Sequence, residues 1–164
     1  MKISKKGKQV KCSFEAKNIV STSRSLEFLH LDLFGLTRTA SLSGYRYALV
    51  IVDDYTRWTR VRFLTHKDES FDTFYKFYKK IKHEKGICIS SIRSDHGGEF
   101  ENDLLKKIYE ENGIHHNFST PRTQHNRVVK RKNRSLQEME RTMLNYHLTP
   151  KQLWTEAVNN VCYL

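Results

Sequence analysis

Apolar positions along the chain change period several times, and each change marks an element. Leu26–Leu33 is strand-like in its apolar content and stops at Gly35, Tyr45–Val52 is an apolar run suited to a buried strand, and Trp58–Leu64 alternates with Arg60 and Arg62 turned outward. Two short connections make these three an antiparallel meander. Thr65 and Asp68 form a capping-box-like start, after which Phe71, Phe74, Tyr75, Tyr78 and Ile81 recur at helical spacing as a core stripe. Ile87–Ser94 reads as a fourth strand, and its arrival through a helix predicts a parallel crossover. Glu101–Asn112 sets Leu104, Leu105, Ile108 and Tyr109 on one helical face and ends at Gly113, with a fifth, shorter strand over Ile114–Phe118. From about Asn126 to Asn145, Val128, Val129, Leu136, Met139 and Met143 define a long helix whose other face is strongly basic. Thr149 as cap and Pro150 in the first turn open a last helix carrying Leu153, Trp154, Ala157, Val158 and Val161. This alternation is the pattern of an α/β layer architecture. Residues 1–24 are polar and lysine-rich with little periodicity, a basic arm or linker remnant ahead of a domain over residues 25–164.

Composition narrows the class. The chain has 164 residues, 38% of them hydrophobic, and nine Phe, eight Tyr and two Trp supply a core for one domain. Cys12, Cys88 and Cys162 are odd in number and dispersed, without CxxC or zinc-ligand spacing, so a reducing intracellular setting is expected and Cys88 reads as a core residue. No run of eighteen apolar residues exists, which argues against a membrane partner. The net charge of +11 is concentrated: residues 1–24 hold seven Lys/Arg and one Glu, residues 122–141 hold seven Lys/Arg against Glu138 and Glu140, and the remaining 120 residues carry 15 of each sign. Clustered positive charge of this kind favours a polyanion partner.

Candidate chemistry lies at two strand ends. Asp32 sits among apolar neighbours in His30-Leu31-Asp32-Leu33-Phe34-Gly35, where a carboxylate is costly to bury unless paired, hydrogen-bonded or metal-bound. Asp95 follows the fourth strand in Arg93-Ser94-Asp95-His96-Gly97-Gly98-Glu99-Phe100, whose paired glycines permit a tight turn. Two such aspartates at adjacent strand ends can share a hard divalent cation, although either one alone is more often a turn or cap residue. Glu99, Asp53 and Asp54 read as turn or cap residues, and His96, His115, His116 and His125 do not make a zinc set.

Taken together, these segments resemble the integrase catalytic core of copia-type long-terminal-repeat retrotransposons over nearly the whole chain. Leu31-Asp32-Leu33-Phe34-Gly35 resembles the first catalytic-aspartate motif, Tyr47–Trp58 the following strand and turn, and Ser94–Phe100 (SDHGGEF) the second catalytic-aspartate motif. Gly113-Ile114-His115-His116 with Ser119-Thr120-Pro121 resembles the stretch leading to the active-site helix, Val128–Leu136 that helix, and KQLWTEAV the next one. The resemblance implies a ribonuclease H-like fold with a five-stranded mixed sheet flanked by helices. It also implies a Mg²⁺- or Mn²⁺-dependent polynucleotidyl transferase acting on DNA in the nucleus, with Asp32 and Asp95 as catalytic residues and metal ligands. A homo-oligomer is a further expectation, as is truncation of the core at its C-terminal end.

The chain departs from the family at the third carboxylate, whose position Lys130 occupies. Just upstream, Thr123-Gln124-His125-Asn126-Arg127 is a residue shorter than the family's Thr-Pro-Gln-Gln-Asn-Gly. Glu138, eight residues beyond Lys130, would lie roughly 12 Å further along a helix, too far to substitute. Weak metal binding and little strand transfer are therefore expected, while Arg127, Lys130, Arg131, Lys132, Arg134 and Arg141 remain to contact DNA phosphates. The alternative reading is a host-retained, non-catalytic DNA-binding or interaction module; another is a nuclease using Asp32 and Asp95 alone.

Overall fold

A computed structural model describes residues 22–35, 37–119 and 127–162. Most of the proposed basic arm, His125 and the short loop before Arg127 lie outside the described residues. The strands are β1 (Phe28–Phe34), β2 (Tyr47–Asp53), β3 (Thr59–Leu64), β4 (Ser91–Ser94) and β5 (His115–Phe118). The helices are α1 (Ser70–Lys85), α2 (Asp103–Glu111), α3 (Arg127–Tyr146) and α4 (Trp154–Cys162). They build one mixed sheet in the order β3-β2-β1-β4-β5, antiparallel from β3 to β1 and parallel from β1 to β5.

The two faces of the sheet are separated by strand alternation. Leu29, Leu31, Leu49 and Ile51 pack with Phe74, Tyr78 and Ile81 of α1 and with Leu105 and Tyr109 of α2. Ala48, Val50 and Val52 face the other way, against Val129, Leu136 and Leu144 of α3 and Trp154, Val158 and Val161 of α4. A sheet covered on both sides explains why β2 is apolar at nearly every position. The same alternation assigns Asp32 to the α3/α4 side, because it lies between Leu31 and Leu33, which belong to the α1/α2 core. Gly35 ends β1 at φ +137°, and a Cβ there would fall 2.6 Å from the Arg46 carbonyl oxygen, so the turn requires glycine.

Several local expectations are corrected. Strand β4 begins at Ser91 rather than Ile87, because its first partner on β1 is Phe28 and nothing upstream is paired in the ladder. Cys88 therefore lies in the approach to that strand and is exposed rather than in the core. Leu104 is 58% exposed, since Leu105 and Tyr109 alone turn α2 into the core. Glu69, not Asp68, caps the turn before α1, accepting from the Thr65 and His66 backbone N–H groups. Thr149 offers no cap, and a short 3₁₀ turn over Lys151–Leu153 following Pro150 leads into α4. Arg60 and Arg62 are half-buried, leaning over α1 beside Trp58 instead of pointing into solvent.

Candidate active site and its basic helix

Strands β1 and β4 run parallel with Phe28 opposite Ser91, Leu29 opposite Ile92 and His30 opposite Arg93. Continuing that register by two residues brings Asp32 level with Asp95. The turn after β4 is held by Asp95 itself, whose Oδ1 accepts from the Gly97 N–H at 3.3 Å. Helix α3 crosses over Asp32 and delivers Asn133, which is buried and donates from Nδ2 to Asp32 Oδ2. The other amide atom, Asn133 Oδ1, is buried with no partner among the described residues.

Asn133 is the site residue that motif reading passed over. Its signal was present: Val129, Asn133 and Leu136 follow helical spacing on the buried face of α3, so an amide stands in an apolar stripe and needs a polar partner.

Electrostatics tie Asp32, Asp95 and Lys130 into one site. Burial pushes the Asp32 carboxyl up to about 6, and the Asp95 charge adds to the rise. Lys130 and the Asn133 hydrogen bond pull it back. Lys130 stands three residues before Asn133 on the same helix and is exposed, and its charge acts on Asp32.

Asp32 and Asp95 offer two carboxylates to one hard cation, a number with which Mg²⁺ is compatible because it retains water ligands. No cluster of three or more His, Cys, Asp or Glu side chains able to hold a metal occurs among the described residues. The donor set thus suits one divalent ion and does not suit a pair, since a second ion needs further shared carboxylates.

The neighbouring acids are occupied structurally. Asp53 accepts from the Leu26 N–H and from the N–H and hydroxyl of Thr56, while Asp54 meets His30 Nε2 at 2.8 Å. Both act as turn anchors, as their sequence context suggested. His96 Nδ1 is 2.8 Å from Glu101, and His116 Nε2 is 2.8 Å from the Ser94 hydroxyl. Burial lowers the His116 imidazole to about 4, leaving it neutral near pH 7.

The six basic residues assigned to DNA do not all share a face. At about 100° per residue, Arg127, Lys130, Arg131, Arg134 and Arg141 fall in one stripe on α3. All five are exposed. Lys132 projects away from that stripe toward α4, where its charge acts on Cys162, and it is half-buried. Glu138 interrupts the stripe, 2.8 Å from Arg134 Nε.

A family model described as the integrase core domain matches residues 23–124, more than half of the chain. The chain belongs to the integrase core family. This integrase core is 36% identical over 162 residues to the retrovirus-related Pol polyprotein from transposon TNT 1-94 of Nicotiana tabacum, covering 96% of the chain and 12% of that polyprotein. It is 32% identical over 150 residues to the Pol polyprotein from transposon RE2 of Arabidopsis thaliana, covering 91% and 10% respectively. The truncated transposon Ty1-A Gag-Pol polyprotein of Saccharomyces cerevisiae is 30% identical over 135 residues, covering 80% of the chain and 11% of the polyprotein. The integrase core thus spans roughly a tenth of the length of these homologues. The solved HTLV-2 integrase catalytic core domain, in complex with magnesium and in trimeric form, superposes with a TM-score of 0.60 at 15% identity, over 84% of this chain and 83% of that one. The shared fold is ribonuclease H-like.

Proposed function

We propose that this integrase core is a DNA-binding part of a retrotransposon integration apparatus whose own strand-transfer chemistry is impaired. The observation carrying this reading is the placement of Lys130 beside Asp32, one helical turn from the Asn133 amide that closes over the carboxylate. At the position where the family resemblance expects a third carboxylate, helix α3 presents an ammonium. Two unit charges ~4 Å apart at an effective dielectric of ~20 interact by about 4 kcal/mol, so exchanging acid for lysine turns attraction to a cation into repulsion of similar size. Asp32 and Asp95 would then hold Mg²⁺ or Mn²⁺ weakly, and the arrangement would lack the third carboxylate needed for in-line displacement at phosphorus.

The exposed stripe on α3 supports the DNA-binding half of the proposal. Arg127, Lys130, Arg131, Arg134 and Arg141 would meet phosphates without reading sequence, and Lys132 would contribute least because it faces α4. Residues 1–24 would act as a basic arm or linker that adds to the same field, with residues 25–164 forming the core. The trimeric form of the HTLV-2 core supports assembly of this chain into homo-oligomers, and action in the nucleus is what the family resemblance implies.

The test compares the parent with a protein in which Lys130→Glu is combined with a family-length loop ahead of Arg127, using Asp95→Asn as the inactive control. Strand transfer of a labelled duplex with Mg²⁺ or Mn²⁺ is expected only from the repaired protein. Equal activity before repair would reject the impairment. Duplex affinity should fall steeply with salt, with a log–log slope of about −4 for five phosphate contacts, allowing for the one paired with Glu138.

A further inference from the structure

On the sheet face away from Asp32, the edge strand β3 and helix α1, with Leu26 and Asp53 at one end, line a half-open cavity of about 420 Å³. That volume is in the range of small-ligand sites. The walls combine an aromatic floor with a cationic rim. Trp58 lies parallel to Phe77, with centroids 6.3 Å apart and planes 19° apart, and Trp58 keeps 41% of its surface exposed. Arg60 and Arg62 share a strand face with Trp58, and Lys80 and Lys85 come from α1. The acids in the wall are both engaged: Asp53 with Leu26 and Thr56, and Glu84 with Lys80 at 3.8 Å.

We propose that this cavity binds single-stranded nucleic acid, one base stacking on Trp58 and the adjoining phosphates meeting Arg60 and Lys85. A planar ring extends the stack that Trp58 and Phe77 already form, and base–aromatic stacking tolerates any sequence because every base has a π-face. A phosphate supplies negative charge to a rim in which cations predominate. Paired bases in a duplex are already stacked on their neighbours and cannot enter, so the ligand is an unpaired end or gap. The segment 1–21 of the same chain is not a complementary occupant, since it carries six Lys against one Glu and shares the sign of the rim. This site lies on the opposite side of the sheet from Asp32 and the α3 stripe, and the inference stands or falls independently of the duplex binding proposed above.

The chain has two tryptophans, and Trp154 is buried, so quenching of intrinsic fluorescence reports on Trp58. Oligo(dT) of about eight nucleotides, within the usual span of such sites, should quench the full chain. Trp58→Ala should remove the quench and weaken affinity for the labelled oligonucleotide by about tenfold, whereas Trp58→Phe should retain most of the affinity. The pair Arg60→Glu with Lys85→Glu should weaken binding by a similar factor and flatten its salt dependence. Arg131→Glu with Arg134→Glu on α3 should leave the quench intact. Circular dichroism checks each fold; should Trp58→Ala fail to fold, the charge-reversal pair decides alone. An absent quench, a quench undiminished by the charge-reversal pair, or binding of an acidic helical peptide but not of oligo(dT) would overturn the proposal.

Discussion

Replacing Asp32 with Asn should stabilise the protein at neutral pH, and the size of the gain follows from the site. In the folded chain burial holds the Asp32 carboxyl at about 6 against an ordinary 3.8. A tenfold change in acidity corresponds to about 1.4 kcal/mol, so the ionised carboxylate destabilises the fold by at most about 3 kcal/mol. Asp32 is buried, so solvent screening takes little from that figure. The sign follows from proton counts. Between pH 3.8 and 6 the unfolded chain has lost the proton that the folded chain keeps, so the stability this group supplies at low pH fades as pH rises and is gone above 6. A neutral amide at position 32 removes that loss, and its carbonyl oxygen can still accept from the Asn133 amide.

His116 runs the opposite way over much of the same window, because its imidazole is lowered to about 4 and acid must charge it. The parent's own pH curve therefore mixes two opposed slopes, and the difference between parent and Asp32→Asn isolates the carboxylate. Urea midpoints in EDTA buffer from about pH 4 to pH 8 should show a gap that widens from the acid end, where only the unfolded chain has ionised, and levels off once the folded carboxyl ionises near 6. At the alkaline end the variant should melt about 5 °C or more above the parent. A gap that is absent, reversed or independent of pH would refute the reasoning.

Other substitutions probe separate regions of the fold. Tyr109 Oη is buried without a partner among the described residues, so Tyr109→Phe should raise stability by about 1 kcal/mol, read from the urea midpoint. Asp53→Ala should lower it by about 3 kcal/mol, because the buried Leu26 N–H and both Thr56 donors lose their acceptor. Lys130→Glu should make the melting temperature rise with added Mg²⁺, by about 2.7 kcal/mol of stabilisation at roughly a hundredfold excess over the dissociation constant, with a smaller rise in the parent. Equal rises would show that Lys130 does not oppose the cation.

The meander and the parallel crossover were legible because Leu26–Leu33, Tyr45–Val52 and Trp58–Leu64 carry strand patterns joined by short connections, and because a helical stripe precedes Ile89 and Ile92. Asp32 and Asp95 were singled out through their motifs, and continuing the β1/β4 register two residues past His30 and Arg93 brings them level. What the pattern could not reveal depends on tertiary partners. Ile87 and Cys88 look like strand residues, yet β1 offers no ladder partner ahead of Phe28. Leu104 has the spacing of a core residue, but α2 meets the sheet through Leu105 and Tyr109. Lys132 belongs to the basic run by composition and leaves it by helical geometry. The Asn133 contact with Asp32 joins residues 101 positions apart, and no local periodicity names that partner.

The parallel pairing of β1 with β4 has a kinetic consequence. The two aspartates arrive from strands separated by the whole of β2, β3 and α1, and the amide that covers one of them comes later still, from α3. No hairpin of the sheet holds more than one of the three groups. The cluster is therefore assembled only by non-local closures, the kind that slows folding.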